Sequence, residues 1–526
     1  MLPEFHQHQK IAIPLGLFLL AGLALFINLG SYPLFLEEPR RALIALEMYL
    51  SDQWMVPTQF GEAYFKKPPI WNWVILFSHT IFGDFSEWTI RFFGVVSFLL
   101  MGVITWWVGD KYVNFSFGVH AALLVLTMAD ALYYLTVVSG EIDLFYSLIT
   151  YAGIVLIFFL REKGEFAWMF FLGYVFAAIG LLTKGLPSLV FLAITLLIAL
   201  WDGYRLKKLW SAGHLLGIVA FAAIIGWFAW SYTPYGEVSQ YITTLWTESR
   251  DKTAVGTFNA QRFLVHLVLF PLETLKNILP AGFLLLFAWR KSFWDQLRSH
   301  RLIRFSFWVS LTNILLYWLS PETGSRYLYM LYPFIIIVLL YAFHLAPTHV
   351  GRDKAFKVIG LVVLGLFFTA TVSYPFILTK QVPDGAMIAS LMVACLMPFL
   401  IYGFLKLQKW RLLLIMTGFL LIRVVFDFSV HPLRAQDSPM QEYKQRGIQL
   451  TEVAEDHPIF IYKDTRISYT SAFYTTRESK RVIRRTENKE FDGLYLVRED
   501  LLKGEEYQVR YLMPYRDTTV YLVRFR

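Results

Sequence analysis

Five short stretches of the 526-residue chain set carboxylates or cations beside apolar runs. They are Leu36-Glu37-Glu38-Pro39-Arg40-Arg41, Tyr64-Phe65-Lys66-Lys67-Pro68-Pro69-Ile70-Trp71, Ser139-Gly140-Glu141-Ile142-Asp143, Thr183-Lys184-Gly185-Leu186-Pro187 and Thr323-Gly324-Ser325-Arg326-Tyr327. Each has an ordinary reading. Pro39 suits the first turn of a helix, and the glutamates beside it complement the positive helix end. Asp143 suits a helix start, Lys66 and Lys67 can meet anionic headgroups, and Lys184 and Arg326 can snorkel from helix ends. Each also has a chemical reading. Glu37 next to Arg40 offers a base beside a guanidinium that grips phosphate. Lys67, stiffened by Pro68-Pro69, offers a cation for a departing lipid phosphate.

The elements that must position these residues are membrane helices. Hydrophobic residues make up 56% of the chain, aromatics 18% and charged residues only 17%, against about a quarter charged in soluble domains. Apolar runs fall at approximately 11–30, 88–108, 115–136, 143–160, 167–183, 186–201, 214–232, 274–289, 303–319, 328–345, 356–376, 385–405 and 411–430. That predicts about thirteen transmembrane helices. The first run is too long for the apolar part of a signal peptide and lacks a small-residue exit, so it is expected to stay as an anchor.

Charge assigns the sides. Alternate connections carry Lys111; Arg161 and Lys163; Arg205, Lys207 and Lys208; Arg290, Lys291, Arg298, Arg301 and Arg304; Arg352, Lys354 and Lys357; Lys406, Lys409 and Arg411. The positive-inside rule makes these cytoplasmic. The connections 31–87, 137–142, 233–273, 320–327 and 377–384, the turn at Lys184, and everything after about 431 are then external. All five charged stretches fall on that one face.

The net charge of +9 does not indicate nucleic-acid binding, because the positives are dispersed between apolar segments. A single cysteine, Cys395, excludes an intrachain disulfide and a thiolate metal cluster. Within the first external connection, Glu38 to Leu50 predicts an amphipathic helix at the interface, and Pro69 to Phe82 a second short one. The tail alternates β-like runs, Ile459–Tyr462, Ile467–Tyr474, Leu494–Val497, Tyr507–Leu512 and Thr519–Phe525, with polar turns. The expected fold is therefore mostly α: a polytopic membrane domain over 1–430, with the external amphipathic loop 31–87, and a small soluble α/β domain over 431–526.

Carboxylates and cations around a lipid-accessible site suit displacement of a lipid phosphate from a sugar. A base activates the acceptor while cations stabilise the departing phosphate. Asp130 and His120, inside the third apolar run, are intramembrane ionisable residues and so further candidates, though Asp130 can equally lie at the external end of a tilted helix.

At this point the sequence resembles a known family. Glu37-Glu38-Pro39-Arg40-Arg41-Ala42, then Glu47-Met48, Trp54-Met55-Val56-Pro57 and Tyr64-Phe65-Lys66-Lys67-Pro68-Pro69 are similar in order and spacing to the first external loop of the GT-C glycosyltransferases of the aminoarabinose transferase and protein O-mannosyltransferase superfamily. Glu141-Ile142-Asp143, Leu182-Thr183-Lys184-Gly185 and the segment from Tyr327 to Pro333 resemble further family segments. By position, the resemblance implies a catalytic base at Glu37, where the family has Asp, and a second acid at Asp143. It implies donor-phosphate contacts at Arg40, Lys67 and Lys184; Arg326 is a further candidate phosphate contact, and Tyr64, Glu38, Glu141 and Tyr327 are candidate substrate contacts. It also implies a divalent-metal position, but the residue there is Lys66, whose ammonium cannot help hold a cation. No metal ligand is assigned, and a lone His266 reads as a structural or substrate-contacting residue.

The expected function is an integral-membrane glycosyltransferase of the bacterial inner membrane. It would move a sugar from a polyprenyl-phosphate donor to an acceptor at the periplasmic face, with inversion. The acceptor stays open among lipid A, another envelope glycan or lipid, and a protein hydroxyl. A flippase for lipid-linked sugars would need similar cations, but paired repeats and helices broken at the midplane are not evident. A scaffold or receptor would not require the Glu-Glu-Pro-Arg and Lys-Lys-Pro-Pro pair.

Overall fold

The computed structural model describes residues 2–5, 9–134, 136–201, 205–235, 238–251, 260–321, 323–347, 349–377, 383, 385–489 and 492–526. Parts of the expected external connections 233–273 and 377–384 lie outside the described residues.

The chain begins with α1 (Gln9–Phe26), then crosses the first long connection as α2 (Glu38–Ser51), the two-residue strands β1 (Thr58–Gln59) and β2 (Glu62–Ala63), and α3 (Ile70–Phe82). It continues through α4 (Glu87–Tyr112), α5 (Phe115–Leu126), α6 (Ala129–Tyr133), α7 (Asp143–Lys163), α8 (Phe166–Lys184), α9 (Pro187–Trp201) and α10 (Ala212–Tyr232). Next come α11 (Val238–Asp251), α12 (Ala260–Asn277), α13 (Lys291–Ser299), α14 (Arg301–Trp318), α15 (Tyr332–His344), α16 (Val350–Ile377), α17 (Ala386–Lys406) and α18 (Arg411–Phe428).

Every predicted apolar run holds helix, but the runs differ in kind. Among the described residues, eight helical stretches are long and apolar enough to cross a bilayer, and a ninth arises if α12 and the short 3-10 turn Ala281–Phe287, bent by 109°, count as one span. α9 and α15 are apolar but shorter, as is Lys10–Phe26 within α1. The figure of about thirteen treats every run as a full span; the structure makes some of them partial. Where α4 and α5 cross, a Cβ on Gly109 would meet the Cα of Gly118 at 2.7 Å, so the two backbones touch through small residues.

α7 sets the direction of the bundle. Asp143 stands at its first turn and Arg161 and Lys163 in its last, at opposite ends of a 21-residue helix about 30 Å long. Arg161 donates to Ala199 O at 3.0 Å and Arg301 lies 3.1 Å from Glu162, so these two cations lie together at the end remote from Asp143.

After α18 the chain forms α19 (Val430–Gln436), α20 (Pro439–Ala454), β3 (Ile459–Tyr462), α21 (Tyr469–Ser479), β4 (Arg484–Thr486), β5 (Leu494–Arg498), β6 (Tyr507–Tyr515) and β7 (Thr518–Phe525). The strands order as β4-β3-β5-β7-β6, parallel on the first three and antiparallel on the rest. One expectation is corrected: 467–474 is not a strand but the start of α21. Its aromatic and β-branched residues favour strand, yet Ser468 accepts the Ser471 N–H as a cap and Thr470, Phe473 and Tyr474 bury one helical face. β4 was not anticipated.

The tail and the 31–87 loop share one core. Ala42, Leu43, Leu46, Trp71 and Ile75 pack in the same cluster as Leu450, Phe473, Tyr474 and Leu496. Glu87, at the start of α4, fastens the join: Lys444 Nζ is 2.5 Å and Tyr474 OH 2.7 Å from its carboxylate.

Candidate active site

The first half of the site is the start of α2. Pro39 opens the helix, leaving Glu37 at the capping position without a side-chain cap bond. Glu37 is 43% exposed, ion-paired with Arg40 and 4.0 Å from Arg41. Its neighbour Glu38 has the opposite environment. Glu38 is wholly buried, with Arg91 Nε and Nη2 each 2.9 Å from one of its oxygens. The Phe35 N–H donates at 3.0 Å, and the Gly140 N–H donates as well. Arg91 spends its remaining donors on Leu29, Tyr32 and Pro33 carbonyls at 2.7, 2.8 and 3.1 Å. Glu38, expected to touch substrate, is instead an internal clamp, because burial demands a partner for each oxygen.

Arg40 lies between two rings, its guanidinium carbon 5.9 Å from the centre of Tyr64 and 5.7 Å from that of Tyr469. The Tyr64 hydroxyl accepts from Arg41 Nη1 at 3.2 Å. Past Tyr64, Lys67 is half-buried ahead of buried Pro68 and Pro69, whereas Lys66 is exposed.

The second half brings three distant segments together. Asp143 at the first turn of α7 ion-pairs with Lys184 at the last residue of α8. Glu141 ion-pairs with Arg326. Tyr327 lies between the pairs, its ring centre 4.2 Å from Lys184 Nζ and 5.4 Å from the Arg326 guanidinium carbon. Burial, then repulsion from Asp143, pushes the Glu141 carboxyl up to about 7, with Arg326 opposing. The two halves meet at Gly140. Its N–H reaches Glu38 and its carbonyl accepts from Trp71 Nε1 at 3.0 Å, so the 139–143 turn is held between α2 and α3. Each cation of the cluster is thus paired with a carboxylate.

Other candidates sit apart from this cluster. Asp130 accepts from Tyr329 OH at 2.8 Å and Thr136 Oγ1 at 3.2 Å, and is buried. His120 Nδ1 is 2.7 Å from Ser116 O within its own helix. His266 lies 3.3 Å from Tyr317 O. Among the described residues no three His, Cys, Asp or Glu side chains are grouped to hold a metal ion. With an ammonium at Lys66, the described residues there do not fit a divalent cation.

Three important residues escaped sequence reasoning. Arg91 was visible as a cation inside an apolar run, which asks for a partner. Glu47 receives Phe60 N–H at 2.7 Å, Thr58 Oγ1 at 2.8 Å and Gly61 N–H at 3.2 Å, shaping the β1–β2 hairpin. Nothing in its local sequence signals Tyr469.

Residues 66–230 match the profile of the family described as dolichyl-phosphate-mannose-protein mannosyltransferase. The undecaprenyl phosphate-alpha-4-amino-4-deoxy-L-arabinose arabinosyl transferase of Pseudomonas savastanoi pv. phaseolicola is 26% identical over 397 residues, covering 71% of this chain and 68% of that protein. Transferase 1 of the same description from Proteus mirabilis is 28% identical over 172 residues, so that match spans only 30% of either chain. The crystal structure of ArnT from Cupriavidus metallidurans bound to undecaprenyl phosphate superposes with a TM-score of 0.65 at 16% identity, covering 98% of both chains. Its apo form gives 0.64 at 14% identity. At that identity the likeness establishes the fold.

Proposed function

We propose that this chain, which has the GT-C fold of the aminoarabinose transferase and protein mannosyltransferase superfamily, is an integral-membrane glycosyltransferase that moves a sugar from a polyprenyl phosphate to an envelope acceptor. The observation that carries this reading is the convergence of two carboxylate–cation pairs, Asp143–Lys184 and Glu141–Arg326, beside the half-buried Glu37–Arg40 pair. The acceptor is lipid A or another envelope glycan or lipid. The protein resides in the bacterial inner membrane, with its N-terminus cytoplasmic and the 431–526 domain periplasmic, following the distribution of its lysines and arginines.

The donor phosphate is held by Arg40, Lys67, Lys184 and Arg326. As phosphate takes the Arg40 guanidinium, Glu37 is released from its ion pair and faces the acceptor. The acceptor hydroxyl oxygen attacks the anomeric carbon opposite the phosphate and passes its proton to Glu37. The bond from anomeric carbon to phosphate oxygen breaks with its electron pair on the phosphate, which the cations stabilise, and the configuration inverts. Asp143 keeps Lys184 oriented, and Tyr327 and Tyr64 supply ring faces against which cations or sugar can rest.

The test is transfer of label from a polyprenyl-phosphate sugar pool to envelope fractions, comparing native protein with Glu37→Gln. Native transfer that drops by about 100-fold or more in the variant, with donor binding retained, supports the base assignment. Full transfer by the variant moves the base elsewhere, and donor translocation without a new glycosidic bond replaces the transferase with a flippase.

A further inference from the structure

The Arg40 guanidinium rests against ring faces. It is ion-paired with Glu37, and its Nε, buried, finds no acceptor among the described residues. Only 18% of the side chain is exposed. The neighbours that confine it are aromatic, with the ring centres of Tyr64 and Tyr469 at 5.9 and 5.7 Å from its guanidinium carbon. Rings grip a guanidinium by its flat face and leave the N–H donors free at the edge. Such a contact persists while the edge exchanges a carboxylate for a phosphate, which an ion pair cannot do.

The two rings differ in origin. Tyr64 belongs to the same 31–87 loop as Arg40, and its hydroxyl is tied to Arg41. Tyr469 comes from the C-terminal domain, at the start of α21, and is fixed there from several directions. Its hydroxyl accepts from Gln59 Nε2 at 3.2 Å, and its ring stacks on Phe60 at 6.0 Å with the planes 13° apart. Phe60 is itself held, its N–H by Glu47 at 2.7 Å and its carbonyl by the Arg485 N–H at 2.9 Å. Next to Tyr469, Thr470 Oγ1 donates to Leu34 O at 3.4 Å, and the Leu34 N–H donates to Tyr474 OH at 3.3 Å. α21 is thus seated on the backbone just ahead of Glu37, and its first ring is set against Arg40.

We propose that Tyr469 is a positioning residue contributed by the C-terminal domain: its ring holds the Arg40 guanidinium in place while the donors at the edge pass from Glu37 to the donor phosphate. The C-terminal domain then completes the donor-phosphate site of the membrane domain. The effect on rate rests on the transferase reading; the effect on phosphate binding rests only on Arg40 as a phosphate contact.

The experiment is a double-mutant cycle on the full chain in nanodiscs of zwitterionic lipid, reading the dissociation constant of undecaprenyl phosphate. Tyr469→Leu is expected to weaken binding by about 3- to 30-fold, the span of a cation–π contact from exposed to desolvated sites. In an Arg40→Gln background the same change is expected to cost less than about twofold, because the cation that the ring holds is gone. Tyr469→Phe keeps the ring and gives up the bond to Gln59, and is expected to recover binding to within about threefold of native. A loss of folded protein would appear equally in both backgrounds, so the cycle separates positioning from stability. Equal losses in the two backgrounds, or a Tyr469→Phe variant as weak as Tyr469→Leu, overturn the proposal. Coupling in a protein that binds the lipid phosphate but transfers no sugar retains the positioning role and removes the transferase reading. Sugar transfer by the native protein, with the two changes additive in both binding and kcat, retains the transferase and removes the positioning role.

Discussion

Arg91 meets Glu38 through two contacts of 2.9 Å in a place where neither side chain reaches solvent. This pair anchors the start of α2 to α4, and through Glu38 it also holds the backbone of Gly140. Glu37 and Asp143 therefore keep their positions because a residue between them is fully engaged.

Removing one member of that pair leaves a buried charge alone. Arg91→Met is expected to destabilise the protein by about 3–5 kcal/mol, and Glu38→Leu with Arg91→Met by much less. Denaturant unfolding in detergent checks this; a double variant as unstable as the single would show that the pair itself, not the orphaned charge, matters.

Lys184→Met deprives Asp143 of its ion-pair partner and removes a cation proposed to hold the donor phosphate. Donor affinity is expected to fall by about 10- to 100-fold, because a charge-assisted contact contributes roughly 1.5–3 kcal/mol. Direct binding of undecaprenyl phosphate measures it, and an unchanged dissociation constant would place the phosphate elsewhere.

Glu47 gives a pH signature. Burial pushes its carboxyl from 4.5 up to about 7, against the pull of hydrogen bonds from Phe60, Gly61 and Thr58. An acid whose folded pKa is raised binds more protons folded than unfolded, so its effect on stability worsens as pH rises from 4.5 to about 7 and then levels. Glu47→Gln should gain stability relative to native protein across that window, by up to about 3 kcal/mol at neutral pH. Melting temperatures at pH 5 and 7.5 test the sign; a variant whose relative stability fell with pH would contradict it.

Gly140 is packed where no side chain fits. A Cβ there would come within 2.6 Å of Ile90 Cγ2 and 3.4 Å of Glu38 Oε1. Ile90 is β-branched and stiff, so Gly140→Ala should shift the 139–143 turn and destabilise the protein by about 1–3 kcal/mol. Because that turn carries Glu141 and leads into Asp143, sugar transfer should fall more than the loss of folded protein accounts for. Proportional loss of both would leave the turn a packing element only.

The sequence by itself determined what hydrocarbon and helix geometry dictate. Apolar length required helices at α4, α7, α8 and α10, and alternating lysine and arginine ordered their ends. Helical spacing placed α2 and α3 in the 31–87 connection, and local order picked out Glu37, Arg40, Asp143, Lys184 and Arg326 as candidates. These properties are local, since they depend on residues within a few turns of one another. Tertiary structure decided the rest. The separate environments of Glu37 and Glu38, adjacent in sequence, arise from Arg91, 53 positions away from Glu38. The ion pairs of Asp143 and Glu141 depend on segments 41 and 185 positions distant. The strand-like composition of 467–474 yielded to a helix because Phe473 and Tyr474 had a core to enter, shared with α2. Burial and pairing of charge are set by whatever lies opposite in space, and only the folded chain specifies that neighbour.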